Sequence, residues 1–417
     1  MGAAIAYAFL NAGADVMVLE TDADGLVRAS TNIEALISNS LSTGRIDETT
    51  ANARRKQLTL TTNYQDLGGV DLAIEAVFED GSVKQNVLRS LEAALRPDAV
   101  IATNTSYLDV NMLAAALADP SRLIGLHFFA PAHIMKLLEI VKAEMVSPKA
   151  LAMGYAVARR LGKIPVVAGV CDGFIGNRIL ARYREAADTL LMDGCTPWDI
   201  DAAMVDFGYA MGPYEAQDLS GLDIAHANRR RQDDMRDPAR RYIPIADHVV
   251  AAGRLGRKTG AGWYQYPANG GKDIDPVIET MILQTAASAG INRRVFTPSD
   301  IQNRLVLAMI NEAANILFDG IAARAADIDL VLVHGYGFPR WRGGLLHYAD
   351  QIGVDRLLAM LCMCAAEDPL VWRPSPVIID CAEAKISLAQ WRRKSLDYGG
   401  SICLIFSNDG CYSYAIL

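Results

Sequence analysis

Short apolar runs alternate with helix-length segments from the start of the chain to about Val170: "VMVLE", "LTLTT", "VDLAIEAV", "AVIATNT", "RLIGLHFF" and "IPVVAGV". Strands separated by helices form βα units, and such units close into a largely parallel sheet covered by helices. Ahead of the first run, Ile5, Ala8, Phe9 and Ala12 fall at helical spacing, and Gly13 is placed to end the helix. After "CDGFIGNR" the strand signals thin out and helical patterns dominate. The pattern therefore predicts an α/β domain over residues 1–170, followed by an all-α region.

That helical region contains itself twice. "NRILARYREAADTLLMDGCTPWDIDAAMVDFGYAMGP" begins at Asn177, and "NRLVLAMINEAANILFDGIAARAADIDLVLVHGYGFP" begins at Asn303. Both read Asn-Arg, an apolar helix with Glu-Ala-Ala, Asp-Gly, Asp-Ile-Asp and a closing Gly/aromatic/Pro turn. Shared punctuation at matching points argues for duplication, giving tandem repeats over residues 171–266 and 267–391. "YPANGGKDIDP" between them is rich in turn formers and reads as a linker. Residues 392–417 lose helical periodicity and gain Cys, Ser and Tyr, so they read as an irregular tail of low order. A terminal strand pair, or sequence foreign to the fold, is equally compatible with that composition.

Bulk properties exclude several classes. At 417 residues, with 51% hydrophobic content and a mean hydropathy of +0.14, the chain suits an ordinary globular protein of two or three domains. The richest apolar stretch, "LIGLHFFAPAHIMKLLEIV", carries His, Lys, Glu and prolines and is no membrane span. A net charge of −8 argues against non-specific nucleic-acid binding. The seven cysteines show no zinc spacing, and their odd total fits the reduced thiols of a cytoplasmic protein without a secretion leader.

Five segments can carry chemistry. The opening helix offers Gly2 and Glu20, which fit the last glycine and the acidic residue of a dinucleotide fingerprint. The strand and first two glycines of that fingerprint are missing from the sequence, and Gly2 can equally be a plain helix start. A carboxylate at Glu20 would favour NAD over NADP, whose extra phosphate it repels. "EAVFEDGSVKQNVL" puts Val77, Phe78 and Glu79 at a strand's carboxyl end, with Lys84 five residues on and able to face a cofactor; a helix-starting acid and a solvated lysine are the plainer reading. "ATNTSYLDV" supplies Asn104, Thr105 and Ser106, as ligand contacts or as a helix cap.

"GLHFFAPAHIMKLLEIV" places His127 at a strand end and Glu139 twelve residues later. That interval accommodates strand, turn and returning strand, which would fold the carboxylate back onto the imidazole. A histidine so supported can take a hydroxyl proton, although a histidine in an apolar run is more often a core residue. His133 reads as structural. "DGFIGNR" combines close-approach glycines with Asn177, whose amide could meet a substrate carbonyl or cap a helix.

In this order and spacing, "NTS", "GLHFFAPAHIMKLLE", "GFIGNR", "FGYAMGP", "GRKTGAGWYQY" and "HGYGFPRWRGG" resemble the 3-hydroxyacyl-CoA dehydrogenase family, from Met1 to about Trp391. The likeness is to the dehydrogenase half of multifunctional fatty-acid oxidation enzymes. It implies a Rossmann-like NAD-binding domain whose first strand is missing, then two helical repeats, with an acyl-CoA held in a cleft at the domain junction. It further implies His127 as general base, Glu139 as its support, Ser106 against the substrate hydroxyl or nicotinamide, and Asn177 on the substrate oxygen. Met1, Gly2, Glu20, Val77, Phe78, Glu79, Lys84, Ser106 and Ala130 fall at NAD-contact positions, and His334 at one that touches substrate. Ala130 departs from the usual Asn or Ser and removes a polar contact.

The resemblance also implies association with a thiolase subunit or with a second copy. It gives no reason to expect hydration or isomerisation, since the hydratase half has no counterpart. A chain cut inside the fingerprint suggests a start assigned too late or a fragment of a longer product. The alternatives to fatty-acid β-oxidation are an inactive fragment serving as an interaction module and a short-chain 3-hydroxybutyryl-CoA dehydrogenase.

Overall fold

A computed structural model describes residues 1–233, 236–393 and 414–416. They form two compact units. The first contains Met1–Asn177, Asp319–Tyr336, Arg392, Arg393 and Tyr414–Ile416; the second contains Arg178–Phe318 and Gly337–Trp391.

The first unit opens with α1 (Gly2–Asn11), β1 (Val16–Leu19), α2 (Ala23–Ser42), α3 (Glu48–Gln57), β2 (Leu58–Thr61) and β3 (Leu72–Glu75). It continues through α4 (Gly81–Ala94), β4 (Val100–Thr103), α5 (Val110–Ala114), β5 (Leu123–Phe128), β6 (Leu137–Val141), α6 (Pro148–Arg160) and β7 (Ile164–Ala168). Asp22 and Asp80 start α2 and α4 by accepting from the amides of Gly25 and of Ser82 and Val83.

From α7 (Gly176–Asp193) the chain enters the second unit, with α8 (Pro197–Phe207), α9 (Pro213–Ser220), α10 (Leu222–Arg231), α11 (Ile245–Ala251), α12 (Pro276–Ser288) and α13 (Pro298–Asp319). Next come α14 (Ala325–Gly335), α15 (Leu345–Ile352), α16 (Val354–Glu367), α17 (Pro376–Ala384) and β8 (Tyr414–Ile416).

Among the described residues the sheet has the order β2-β1-β8-β3-β4-β5-β6-β7. It is parallel from β2 to β5; β6 runs antiparallel to β5, and β7 parallel to β6. The predicted α/β domain is thus present, but its sheet does not lack a central strand. Tyr414–Ile416 lies between β1 and β3, the place expected to be vacant. The same strand corrects the expectation of an irregular tail at these three residues; 394–413 and 417 lie outside the described residues. Tyr414 and Ile416 join the core cluster with Ile5, Phe9, Val18 and Ile74, which explains why so short an apolar strand is held there.

The compact units cut across the second of the expected repeats. The expected division at residue 170 falls close to the observed one after Asn177, but residues 267–391 do not stay together. Asp319–Tyr336 packs in the first unit, where α14 buries Ile328, Val331 and Leu332, and the Gly169 amide donates to the Ile321 carbonyl at 2.8 Å. The edge formed by β6 and β7 presents apolar residues that need a helical cover, and α14 supplies it. No helix among the described residues is long and apolar enough to cross a membrane.

In the second unit, the "GRKTGAGWYQY" motif folds around buried carboxylates. Asp218 accepts from the amides of Trp263 and Tyr264 and from the Tyr266 hydroxyl. A Cβ on Gly262 would lie 1.9 Å from Asp218 Oδ1, so the turn requires glycine there. Asp201 accepts from the Tyr214 and Glu215 amides and from the Tyr264 hydroxyl.

Burial pushes the Asp201 carboxyl up from 3.8 to about 6, against the opposing pull of those hydrogen bonds. A carboxyl whose pKa rises on folding holds its proton more tightly in the folded state. Its contribution is therefore present below the unfolded pKa and is lost as pH rises through about 6. Asp201→Asn should flatten the fall in stability between pH 4 and 7 by on the order of 2–3 kcal/mol. It should also lower Tm throughout, because one amide loses its acceptor. Denaturant titrations of both proteins across that range check this; parallel pH profiles would contradict it.

Candidate active site

The antiparallel pairing of β5 and β6 sets His127 directly opposite Glu139. Cross-strand partners share a face, so residues twelve apart meet with 2.7 Å between His127 Nδ1 and Glu139 Oε2. Glu139 is wholly buried and His127 nearly so. The second oxygen, Oε1, accepts from the Ile175 and Gly176 amides at 3.3 and 3.2 Å. These amides lie at the start of α7, where the helix dipole favours negative charge. An ionised carboxylate only accepts, so Nδ1 carries the proton and Nε2 is left as the basic nitrogen. Phe129 and Phe174 flank the imidazole, with ring centroids 4.5 and 5.6 Å away.

The turn presenting the two amides is conformationally demanding. Gly173 has φ 77° and Phe174 φ 51°, a left-handed position unfavourable for a bulky residue. At Gly176 the demand is steric: a Cβ would lie 2.1 Å from Tyr336 Cε2. Tyr336 follows α14, stacks edge-on against Phe129, and donates its hydroxyl to Asn177 Oδ1 at 2.8 Å. This orients Asn177 with Nδ2 toward the Ser106 carbonyl, 3.5 Å away. Tyr336 was missed in the sequence. The tyrosine recurring in "FGYAMGP" and "HGYGFP" was the available signal.

Of the two roles anticipated for the Asn-Thr-Ser segment, the cap is the one visible in its hydrogen bonds. Asn104 Oδ1 accepts from the Phe128 amide at 3.0 Å, tying β4 to the end of β5. Thr105 caps the following turn by accepting from the Leu108 amide. Glu79 Oε1 accepts from the Thr105 hydroxyl and from the Ser106 and Tyr107 amides. The half-buried Ser106 hydroxyl makes no hydrogen bond among the described residues.

Lys84 requires correction. It is fully buried, with Nζ 2.8 Å from Glu75 Oε1 and further contacts to the Val77 and Asn104 carbonyls. A buried ammonium must be paired to stay charged, and those partners hold it beneath the turn rather than facing a cofactor.

Of the remaining anticipated residues, Glu20, Val77, Phe78 and Ala130 follow the carboxyl ends of β1, β3 and β5. Met1 is half exposed and, as N-cap of α1, supplies no side-chain bond to the first amides of the helix beginning at Gly2. Glu20 closes β1, Val77 is half-buried after β3, and Phe78 is 82% exposed. Ala130 is exposed beyond β5, and His334 is half-buried in the last turn of α14. His133 sits edge-on to Tyr7, and burial lowers its pKa, consistent with a structural role. An uncapped helix start beside an acidic strand end, with an exposed aromatic across the switch point, fits a dinucleotide.

Comparison with known proteins identifies the family. Residues 1–171 match the family described as 3-hydroxyacyl-CoA dehydrogenase, NAD binding domain. Residues 173–266 and 301–389 match its C-terminal domain. The peroxisomal bifunctional enzyme of Danio rerio is 43% identical over 317 residues, covering 73% of this chain and 44% of the relative. The fatty acid oxidation complex subunit alpha of Pseudomonas putida is 34% identical over 375 residues, covering 89% and 52%. The chain thus spans about half the length of the curated relatives it matches. The crystal structure of 3-hydroxybutyryl-CoA dehydrogenase from Escherichia coli superposes with a TM-score of 0.78 at 25% identity, covering 92% of this chain and 96% of that one.

Gly176→Ala should destabilise the first unit by about 1–3 kcal/mol, because the ring that blocks the new methyl belongs to a packed aromatic. Tyr336→Ala in the same chain should relieve part of that loss. Thermal unfolding of both variants tests the clash; an unaltered Tm for Gly176→Ala would refute it.

Proposed function

The chain belongs to the 3-hydroxyacyl-CoA dehydrogenase family, and from that premise we propose that it oxidises an (S)-3-hydroxyacyl-CoA to the 3-oxoacyl-CoA in fatty-acid β-oxidation. The observation that carries this reading is the buried His127–Glu139 pair with two helix amides behind it. A bound NAD supplies the acceptor for the hydride leaving C3.

The protein's own residues handle the proton and the oxygen. His127 Nε2 takes the hydroxyl proton as the C3–H bond breaks, and the C3–O bond gains its second order. Glu139 stabilises the resulting imidazolium and keeps the ring from rotating. It can do so without water because its other oxygen is satisfied by the backbone. The Ser106 hydroxyl is available to hydrogen-bond the reacting oxygen, and Asn177 Nδ2 is available to steady the substrate. Glu20 is placed to accept from ribose hydroxyls and to disfavour a 2′-phosphate. Two stretches matching one C-terminal family support reading the helical region as tandem copies. A relative named as a complex subunit supports association with a further subunit.

The full chain should generate NADH from NAD and an (S)-3-hydroxyacyl-CoA, followed at 340 nm. Loss of the general base in His127→Ala should reduce kcat by about 10²–10⁴-fold. Absence of NADH formation, or an undiminished rate in His127→Ala, would sink the reading. Tyr336→Phe retains the ring and removes the hydroxyl that orients Asn177. It should lower kcat several-fold with little change in the Kd for NADH.

A further inference from the structure

The turn that leaves His127 has backbone groups that its own amides do not satisfy. Residues 129–136 join β5 to β6, and the carbonyls of Ala132 and Met135 receive no backbone amide among the described residues. Ala132 is wholly buried, so its carbonyl has to find another donor. Lys163, the residue ahead of β7, provides one. Its Nζ donates to the Ala132 carbonyl at 2.7 Å and to the Met135 carbonyl at 2.6 Å. The same ammonium lies 5.6 Å from the centre of the Phe128 ring. One side chain from the β7 edge thus clamps the turn at two points.

An ammonium is a costly clamp in this position. Lys163 is only 9% exposed. Burial, and then the charge of Lys136, push its pKa down to about 8. A buried charge held by carbonyl dipoles gives up more hydration than such bonds return. His133 of the same turn adds no easily held second charge, because burial, Lys163 and Arg45 all lower its pKa.

What the clamp holds bears directly on the chemistry. Phe129, the first residue of the turn, packs against the His127 imidazole with centroids 4.5 Å apart. It also meets the Tyr336 ring edge-on at 5.5 Å, and the Tyr336 hydroxyl orients Asn177. Movement of the turn therefore disturbs the base and the amide together. The bond from His127 to Glu139 is set by the β5–β6 ladder and is independent of the turn.

We propose that Lys163 is a positioning residue of this site, anchoring the 129–136 turn so that Phe129 holds His127 and Tyr336 in the reacting geometry. It acts through the backbone of the turn and not by contact with the reacting atoms. The kinetic part of the proposal rests on the dehydrogenase reading; the anchoring part does not.

Lys163→Met keeps an unbranched apolar stem and removes the donors. In the full chain, kcat per NADH-binding site should fall about 10–10²-fold, since a slightly misplaced base is felt in the rate. KM for the acyl-CoA and the Kd for NADH should stay within about threefold, because no ligand contact is removed. A purely structural role would lower Tm and leave kcat per site intact. Lys163→Arg, which restores a cationic donor to both carbonyls, should recover most of the rate. The His127 Hε1 proton lies in the ring current of Phe129, so its NMR signal should move in Lys163→Met. The proton shared with Glu139 should keep its downfield position. Should Lys163→Met fail to fold, Lys163→Gln, whose shorter side chain cannot span both carbonyls, takes its place with the same expected signs. An unchanged kcat per site, or an unmoved Hε1 signal, would overturn the proposal. A displaced Hε1 signal in a chain whose parent forms no NADH would support the anchor and count against the dehydrogenase reading instead.

Discussion

A carboxylate excluded from water has to have its oxygens occupied, and at Glu139 that requirement organises the first unit. One oxygen meets His127 across the β5–β6 ladder, and the other meets the first amides of α7. The second contact exists only because the chain turns through left-handed positions at Gly173 and Phe174. That turn in turn brings Gly176 against the Tyr336 ring, closely enough to leave no room for a side chain. The orientation of Asn177 then follows from the Tyr336 hydroxyl. A single buried charge thus accounts for the glycines, the aromatic and the amide around it.

A second buried charge does the same for the opposite wall. Glu75 accepts from Lys84, from the Val77 amide and from the Thr103 hydroxyl, joining the carboxyl ends of β3 and β4. Lys84 also reaches the Asn104 carbonyl, and Asn104 holds the end of β5. Buried ion pairs add little net stability compared with apolar packing, because desolvation consumes most of the attraction. This pair is better understood as fixing where the Asn-Thr-Ser turn and Glu79 stand. The Asp201 and Asp218 clusters of the second unit repeat the device without chemistry: carboxylates inside the unit gather amides from the turns around them.

Much of this was legible beforehand. Alternating apolar runs gave away the α/β unit, and the interval from His127 to Glu139 was the right length for a hairpin return. Glu20, Phe78 and Ser106 were placed at or just after strand ends by pattern, and they lie there, while Gly2 opens α1. Lys84 was misjudged because an isolated lysine in a helix reads as solvated; its burial depends on a carboxylate nine residues away and on a third strand. Tyr336 was passed over because its partner is 159 residues distant.

Local spacing by itself determined the elements and their order, since helix and strand periodicity are properties of neighbouring residues. It also determined the cross-strand meeting of His127 and Glu139, because a hairpin register is set within a dozen residues. Only the tertiary structure decided that α14 leaves its sequence neighbours to cover β6 and β7. It alone decided that Tyr414–Ile416 pairs between β1 and β3, far along the chain from both. Both are long-range choices made by unpaired backbone and uncovered apolar surface. Such demands arise only once the sheet exists, and they leave no periodic trace in the segments that satisfy them.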